Sequence, residues 1–95
     1  MTKIDILEFI KTHKEELMKT YGLTEIGLFG SYAKDMADEN SDIDIAIRSK
    51  KKDFFIREDL REYLEKHLKK PVDVGYIDSF REYYKNKIEK EIIYV

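Results

Sequence analysis

GSYAKDMADENSDIDIAI, residues 30–47, contains the pattern that determines the fold. It opens with a glycine-serine pair, continues through a polar stretch, and ends in a run where Asp42, Asp44 and Ala46 alternate with three isoleucines. Alternation with a period of two is typical of a half-buried strand, because successive side chains point to opposite faces. The segment therefore predicts a strand that packs its isoleucines on the core and projects two carboxylates from its other face.

The residues before this strand predict a helix, a buried strand and a second, short helix. Thr2 with Asp5 three residues later resembles a capping box, and apolar residues then recur at helical spacing to about residue 20, where Gly22 can end the helix. The run EIGLFG, residues 25–30, is short, apolar and bounded by glycine, which suits a buried strand. We expect Ser31 to cap a second helix of about two turns.

The residues after the strand predict two more helices and a third strand. Asp53 is expected to cap a third helix that ends before Pro71, the chain's only proline, and VDVGYI, residues 72–77, is expected to be a strand. Asp78 or Ser79 can cap a last helix, after which IIYV, residues 92–95, forms either a short strand or a tail.

The resulting order, α-β-α-β-α-β-α, predicts an α/β (α+β) fold. It would be a small mixed sheet of about three strands with helices packed on it, in a single domain spanning residues 1–95.

Composition and charge exclude several classes of protein. The net charge is −2, from 18 basic and 20 acidic residues that are interspersed, so we expect neither direct nucleic-acid binding nor a membrane surface as partner. No stretch approaches the roughly 18 apolar residues of a membrane-spanning helix, and the N-terminal residues do not resemble a signal peptide. Cysteine is absent, which fits a reducing compartment. We therefore expect a cytoplasmic protein.

Asp42 and Asp44 are candidate metal ligands. Two carboxylates on one face of a strand, with Cβ atoms roughly 6–7 Å apart, repel each other unless a cation lies between them. Oxygen ligands of this kind suit Mg²⁺ or Mn²⁺. The alternative is that both aspartates lie at the exposed start of the strand and only keep it soluble.

Two further features predict that this site binds phosphate and metal. Asp73 is a lone charge between two valines, and it would join the other aspartates if its strand is their neighbour; a surface position is the alternative. Gly30 permits close approach of a ligand, and a helix that opens at Ser31 offers free N–H groups to phosphate. An ordinary N-cap serine after a turn glycine would give the same pattern.

Taken together, Gly30-Ser31, a gap of ten residues and Asp42-x-Asp44 resemble the G-S-x10-D-x-D signature of the DNA polymerase beta superfamily of nucleotidyltransferases. The flanks LFGSYAK and SDIDIAI are most similar to minimal nucleotidyltransferases (MNT domains), which are often paired with HEPN-domain proteins in prokaryotic toxin–antitoxin systems. Members often carry Arg and Gly where this chain has Lys34 and Asp35. Lysine offers a positive charge but not a bidentate fork.

The resemblance implies transfer of AMP from ATP to an acceptor hydroxyl, with release of pyrophosphate. It implies that Asp42, Asp44 and Asp73 hold two Mg²⁺ ions, or Mn²⁺, and that Asp73 also helps to activate the acceptor. Gly30 and Ser31 would bind the β- and γ-phosphates, and Lys34 is a further candidate for phosphate binding. This arrangement corresponds to a two-metal clamp on an in-line displacement.

Three functional hypotheses follow from the resemblance. In the first, the chain is a type VII-like antitoxin that adenylylates a residue, expected to be tyrosine, of a cognate HEPN toxin. In the second, the acidic site is inactive and the chain neutralises its partner by binding alone. In the third, the acceptor is a small molecule such as an aminoglycoside, although related enzymes of that type carry a further helical domain. Homo- or hetero-oligomers are compatible with each, because a small sheet has an unpaired edge.

Overall fold

A computed structural model of the chain describes residues 1–95, except for the side chain of Tyr83. The elements follow one another in the order α1 (Lys3–Tyr21), β1 (Leu23–Phe29), α2 (Gly30–Ala33), β2 (Ile43–Ser49), α3 (Phe54–Leu68), β3 (Val72–Tyr76), a 3-10 turn (Ile77–Ser79), α4 (Glu82–Glu91) and β4 (Ile93–Tyr94). Within the described residues no helix is both long enough and apolar enough to cross a bilayer.

The strands form one mixed sheet in the order β3-β2-β1-β4. β2 is antiparallel to β1 and parallel to β3, and β4 runs antiparallel along the other side of β1. The predicted α/β fold with a mixed sheet is confirmed. The predicted number of about three strands is one short, because Ile93 and Tyr94 pair with Leu28 and Gly27, so that the C-terminal segment is a strand and not a tail.

Three predicted helix boundaries are confirmed. Thr2 and Asp5 form a capping box at the start of α1, and Gly22 ends that helix in the left-handed conformation, with φ 65°. Asp53 caps α3, because its carboxylate accepts hydrogen bonds from the backbone N–H groups of Phe55 and Ile56.

The prediction for α2 was wrong in its cap and its length. α2 is a single turn whose N-cap is Phe29, so Ser31 lies inside the helix and no side chain caps it. The reason is Gly30, whose φ of +73° turns the chain directly out of β1 into the helix. Asp35, with φ 59°, then turns the chain away shortly after the helix ends.

The predicted cap of α4 was also wrong. Asp78 and Ser79 belong to the 3-10 turn, while the N-cap is the extended Arg81, which makes no side-chain capping hydrogen bond. The carboxylate of Asp78 contacts the guanidinium of Arg48 instead. The Asp78 side chain therefore binds Arg48 and does not cap α4.

The two faces of the sheet are covered to different extents. α1 and α3 pack on the first face, where the three isoleucines of β2 join the main core with side chains of both helices. On the second face Ala46, Ile77 and Ile92 form a smaller cluster, against which Phe29 and Ile88 pack. β2 is therefore buried on both faces at Ala46, whereas Asp44, Arg48 and Ser49 are half-buried.

Arg48 holds the layer on the second face in place. Its guanidinium contacts Glu25 of β1 through Nε at 2.8 Å, Glu89 of α4 through Nη2 at 3.1 Å, and Asp78 of the 3-10 turn through Nη1. Because one planar group joins three elements, α4 is tied to the sheet by charge as well as by apolar contacts.

Arg48→Lys should lower the free energy of unfolding by about 1 kcal/mol, because an ammonium group cannot satisfy three carboxylates with the same geometry. Urea denaturation at low and high salt would measure the loss, which should shrink as salt screens the charges. Arg81→Lys, at the exposed N-cap of α4, is the control. An unchanged midpoint for Arg48→Lys would mean that apolar packing alone holds α4.

Candidate active site

Asp44 and Asp73 lie side by side on neighbouring strands. β2 and β3 are parallel, and their register pairs Asp44 with Asp73, one pair after Ile43 with Val72. Paired residues of adjacent strands project from the same face and are about 4.8 Å apart along the hydrogen-bonding direction. The condition under which Asp73 would join the other aspartates, that its strand adjoins theirs, is met. Asp73 is exposed, whereas Asp44 is half-buried.

The sequence predicted that Asp42 lies within β2, but the residue lies just before the strand. The strand begins at Ile43, so Asp42 belongs to the preceding loop and is exposed. Differences of one residue at an element boundary are common. The side chain still adds negative charge to the surroundings of Asp44, two residues further along the chain.

The environment raises the pKa of Asp44 from 3.8 to about 6. Burial is the largest cause, followed by repulsion from Asp73 and then from Asp42. A carboxylate in this position is costly to ionise without a cation, whereas an isolated surface aspartate is not. This pKa shift favours a functional site over the alternative that the aspartates only keep the strand soluble.

Gly30 lies directly against the carboxylate of Asp44. A Cβ atom built on Gly30 would be 2.2 Å from Asp44 Oδ2, far inside van der Waals contact. The contact arises because Phe29, the last residue of β1, pairs with Asp44 of β2, so the chain leaves β1 beside the aspartates. Only glycine fits both this contact and the positive φ of 73°.

Ser31, Lys34 and Asp35 follow Gly30 on α2 and just after it. Ser31 is half-buried in the single turn of helix, and Lys34 extends to α4, where its Nζ lies 3.2 Å from Glu91 Oε1. Asp35 is in the left-handed conformation, which glycine adopts with less strain than aspartate. Its carboxylate is bound by Lys3 of α1 at 2.9 Å, so its charge is paired with a cation of α1.

The aspartates fit a divalent cation by donor type and charge. Carboxylate oxygens from two strands are hard ligands, and the raised pKa of Asp44 indicates negative charge that a cation would neutralise. Among the described residues, however, no three acidic or histidine side chains are placed closely enough to hold a metal ion as they stand. The exposed Asp42 and Asp73 would therefore have to change rotamer to complete a site around Asp44.

Two features of the site were not predicted from the sequence. One is the aromatic pair Phe29 and Phe80, whose ring centroids are 5.6 Å apart and which border the aspartates on the second face. Gly75 allows this packing, since a Cβ there would be 2.9 Å from two ring carbons of Phe80. A glycine inside a strand is the signal that could have indicated such a close approach. The other feature is Glu91, which no sequence pattern connects with Lys34.

The chain matches a known protein family model, and it is similar in sequence to a known protein over its full length. Residues 10–95 match the family model described as the nucleotidyltransferase domain. A protein adenylyltransferase of Thermococcus cleftensis, MntA, is 33% identical over 96 residues, which cover 100% of this chain and 97% of the relative.

Solved structures share the fold. A candidate minimal nucleotidyltransferase superposes with a TM-score of 0.81 at 22% identity, over 98% of this chain and 95% of that chain. A tri-AMPylated HEPN toxin of Shewanella oneidensis in complex with its MNT antitoxin gives 0.67 at 23% identity, over 92% and 69%. These two likenesses concern the fold alone. A toxin–antitoxin crystal structure with AMP-PNP gives 0.62 at 32% identity, over 74% of this chain and 59% of that chain.

Proposed function

The chain belongs to the nucleotidyltransferase domain family, and on this basis we propose that it is an antitoxin that transfers AMP from ATP to a tyrosine hydroxyl of a HEPN-domain toxin. Its resemblance to minimal nucleotidyltransferases and its nucleotidyltransferase activity are confirmed by the family match and the relatives. The observation that carries the proposal is the contact of Gly30 with Asp44, beside Asp73, because it brings a phosphate-binding turn and paired carboxylates together.

In the proposed reaction the acceptor oxygen forms a bond to the α-phosphorus of ATP, and the bond to the β-phosphate breaks, so that pyrophosphate leaves. Divalent cations, which we propose to be two Mg²⁺ with Mn²⁺ as a substitute, neutralise the phosphate charge and lower the pKa of the acceptor hydroxyl when bound. Asp42, Asp44 and Asp73 are the residues that would hold them. Asp73, which is exposed, also accepts a hydrogen bond from the acceptor hydroxyl and takes its proton as the new O–P bond forms.

Gly30 and Ser31 have the role of binding the β- and γ-phosphates. The absence of a side chain at Gly30 lets the phosphates approach the backbone, and Ser31 offers a hydroxyl and a backbone N–H in the first turn of α2. The same turn touches Asp44, so the phosphates and the carboxylates share one site. Lys34, which follows at the end of the same turn, is a further candidate for phosphate binding.

A protein acceptor is supported by the exposure of the site and by the relatives. Asp42, in the loop before β2, and Asp73, on β3, are both exposed, so a folded partner can reach them. MntA of Thermococcus cleftensis is a protein adenylyltransferase, and the Shewanella oneidensis complex pairs an MNT antitoxin with an AMPylated HEPN toxin. We propose the same kind of partner here, acted on by a single nucleotidyltransferase domain that spans residues 1–95.

Intact-mass spectrometry tests the proposal directly. The purified chain is incubated with ATP, Mg²⁺ and a HEPN-domain protein, to be sought among the products of the neighbouring genes. We expect the HEPN protein to gain the mass of one AMP or a multiple, and Asp42→Asn with Asp44→Asn to prevent the gain. Asp59→Asn, an exposed aspartate on α3, is the control and should retain transfer.

The other hypotheses give different results in the same experiment. A stable complex without any mass gain, under either metal, would identify a binding-only antitoxin. A mass gain on an added aminoglycoside, with the HEPN protein unmodified, would identify a small-molecule nucleotidyltransferase.

A further inference from the structure

Lys34 is held by a carboxylate that belongs to a different element. Its Nζ lies 3.2 Å from Oε1 of Glu91, the last residue of α4, and the two side chains are 41% and 23% exposed. The backbone N–H of Lys34 donates to the carbonyl oxygen of Gly30, so Lys34 is one helical turn from the glycine that touches Asp44. The cation that α2 places near the proposed phosphate site is therefore already paired with an anion.

α4 is held in a fixed place, which keeps Glu91 beside Lys34. Arg48 binds Glu89 two residues before Glu91, and Ile92, directly after it, is buried against Gly27 of β1. The backbone N–H of Ile92 also closes the last turn of the helix on Ile88. Glu91 is thus presented by an anchored helix end and not by a free tail.

Asp35, the acidic residue next to Lys34 in the chain, is paired with a different cation. The Asp35 carboxylate is bound by Lys3 at 2.9 Å. A triphosphate bound at Gly30 and Ser31 would be a stronger partner for an ammonium group than one carboxylate, because it carries several negative charges. A triphosphate that draws Lys34 toward Gly30 and Ser31 therefore competes with the ion pair to Glu91.

We propose that Glu91 sets the affinity of this chain for nucleoside triphosphate by holding Lys34 away from the phosphates. The inference rests on the proposed function, in that the triphosphate is taken to bind at Gly30 and Ser31. Its consequence is that the Glu91–Lys34 ion pair opens when nucleotide binds, and that its strength is subtracted from the binding free energy. Glu91 is then an affinity-determining residue that does not itself touch the nucleotide.

Calorimetric titration of the full chain with AMP-PNP and Mg²⁺ tests this inference. Glu91→Gln should bind AMP-PNP about two- to fivefold more tightly than the unmodified chain, which is the range expected for the loss of one exposed ion pair. Glu82→Gln removes the same charge from the exposed start of α4 and is the control, with unchanged affinity expected. AMP, which lacks the β- and γ-phosphates, should bind both variants equally.

A double-mutant cycle separates the contact from a general charge effect. In a Lys34→Met background, Glu91→Gln should no longer change the affinity for AMP-PNP, because the residue it restrains is gone. Equal tightening by Glu82→Gln and Glu91→Gln, or tightening that persists in Lys34→Met, would overturn the inference. AMP-PNP binding that Glu91→Gln leaves unchanged would overturn it too while leaving the proposed function intact, whereas no AMP-PNP binding by any variant would refute the nucleotide site itself.

Discussion

Asp44→Asn is expected to abolish AMP transfer and, at neutral pH, to make the metal-free protein more stable. The rate of AMP transfer should fall by about 10³-fold or more, because the variant lacks the half-buried carboxylate that would bind metal between the Gly30 turn and Asp73. The stability should rise because the ionised carboxylate is destabilising where it lies. Burial, and then Asp73 and Asp42, raise its pKa to about 6.

The sign of the pH dependence follows from that raised pKa. The folded chain binds the Asp44 proton more tightly than the unfolded chain, whose aspartates titrate near 3.8, so ionisation of Asp44 costs nothing well below pH 4. The destabilisation caused by ionised Asp44 grows as the pH rises from about 4 to about 6, and it has its full value above pH 6. A shift of two pKa units corresponds to about 3 kcal/mol, and solvent screening of this half-buried side chain reduces the expected value to about 1–2 kcal/mol.

Urea denaturation in a chelator at several pH values measures this gain. Asp44→Asn should be more stable than the unmodified chain at pH 7.5, and the difference should shrink toward pH 4. Mg²⁺ should stabilise the unmodified chain and have less effect on the variant, since a ligand that binds only the folded state raises its stability. If Asp44→Asn were less stable than the unmodified chain at pH 7.5, Asp44 would be a structural residue. Asp59→Asn, at an exposed position on α3, is the control.

The sequence predicted the fold where local signals and tertiary contacts agree. The alternation of aspartate and isoleucine gave β2, and Thr2, Gly22 and Asp53 marked helix ends because their side chains or backbone conformations act locally. The predicted cap at Ser31 was wrong because the preceding Gly30 turns the chain into the helix, and the predicted cap at Asp78 was wrong because a distant group binds its side chain. Gly30, packed on Asp44, begins α2, so the N-cap is Phe29, two residues before Ser31, and the carboxylate of Asp78 binds Arg48.

The candidate site shows the same division. The spacing of Gly30-Ser31 and Asp42-x-Asp44 predicted that the glycine turn and the aspartates lie together, because it is a local signature in a single loop and strand, and Gly30 does lie against Asp44. Asp73 depended on strand order, which periodicity does not give, and here the parallel β2–β3 pairing brings it beside Asp44. Glu91 could not be found at all, since it reaches Lys34 only through the packing of α4 on the second face.

Gly30→Ala is the second substitution with a large expected effect. The new methyl group would be 2.2 Å from Asp44 Oδ2, so the carboxylate must move by about 1 Å or more, and the positive φ of 73° adds strain of about 1–2 kcal/mol. A displacement of that size at a reacting centre costs roughly 10²-fold in rate. We expect transfer of AMP to fall by about that factor, and the free energy of unfolding to fall by about 2 kcal/mol.

Gly22→Ala provides the matched control, because it has the strain without the contact. Gly22 has φ 65°, nearly that of Gly30, but a Cβ there would meet nothing within 4 Å. It should therefore lose about 1 kcal/mol of stability and keep full activity. If both variants lose activity in proportion to their loss of stability, backbone strain alone explains why glycine is needed at position 30. If Gly30→Ala loses activity far beyond its loss of stability, the glycine is required to seat the carboxylate of Asp44 beside the phosphate-binding turn.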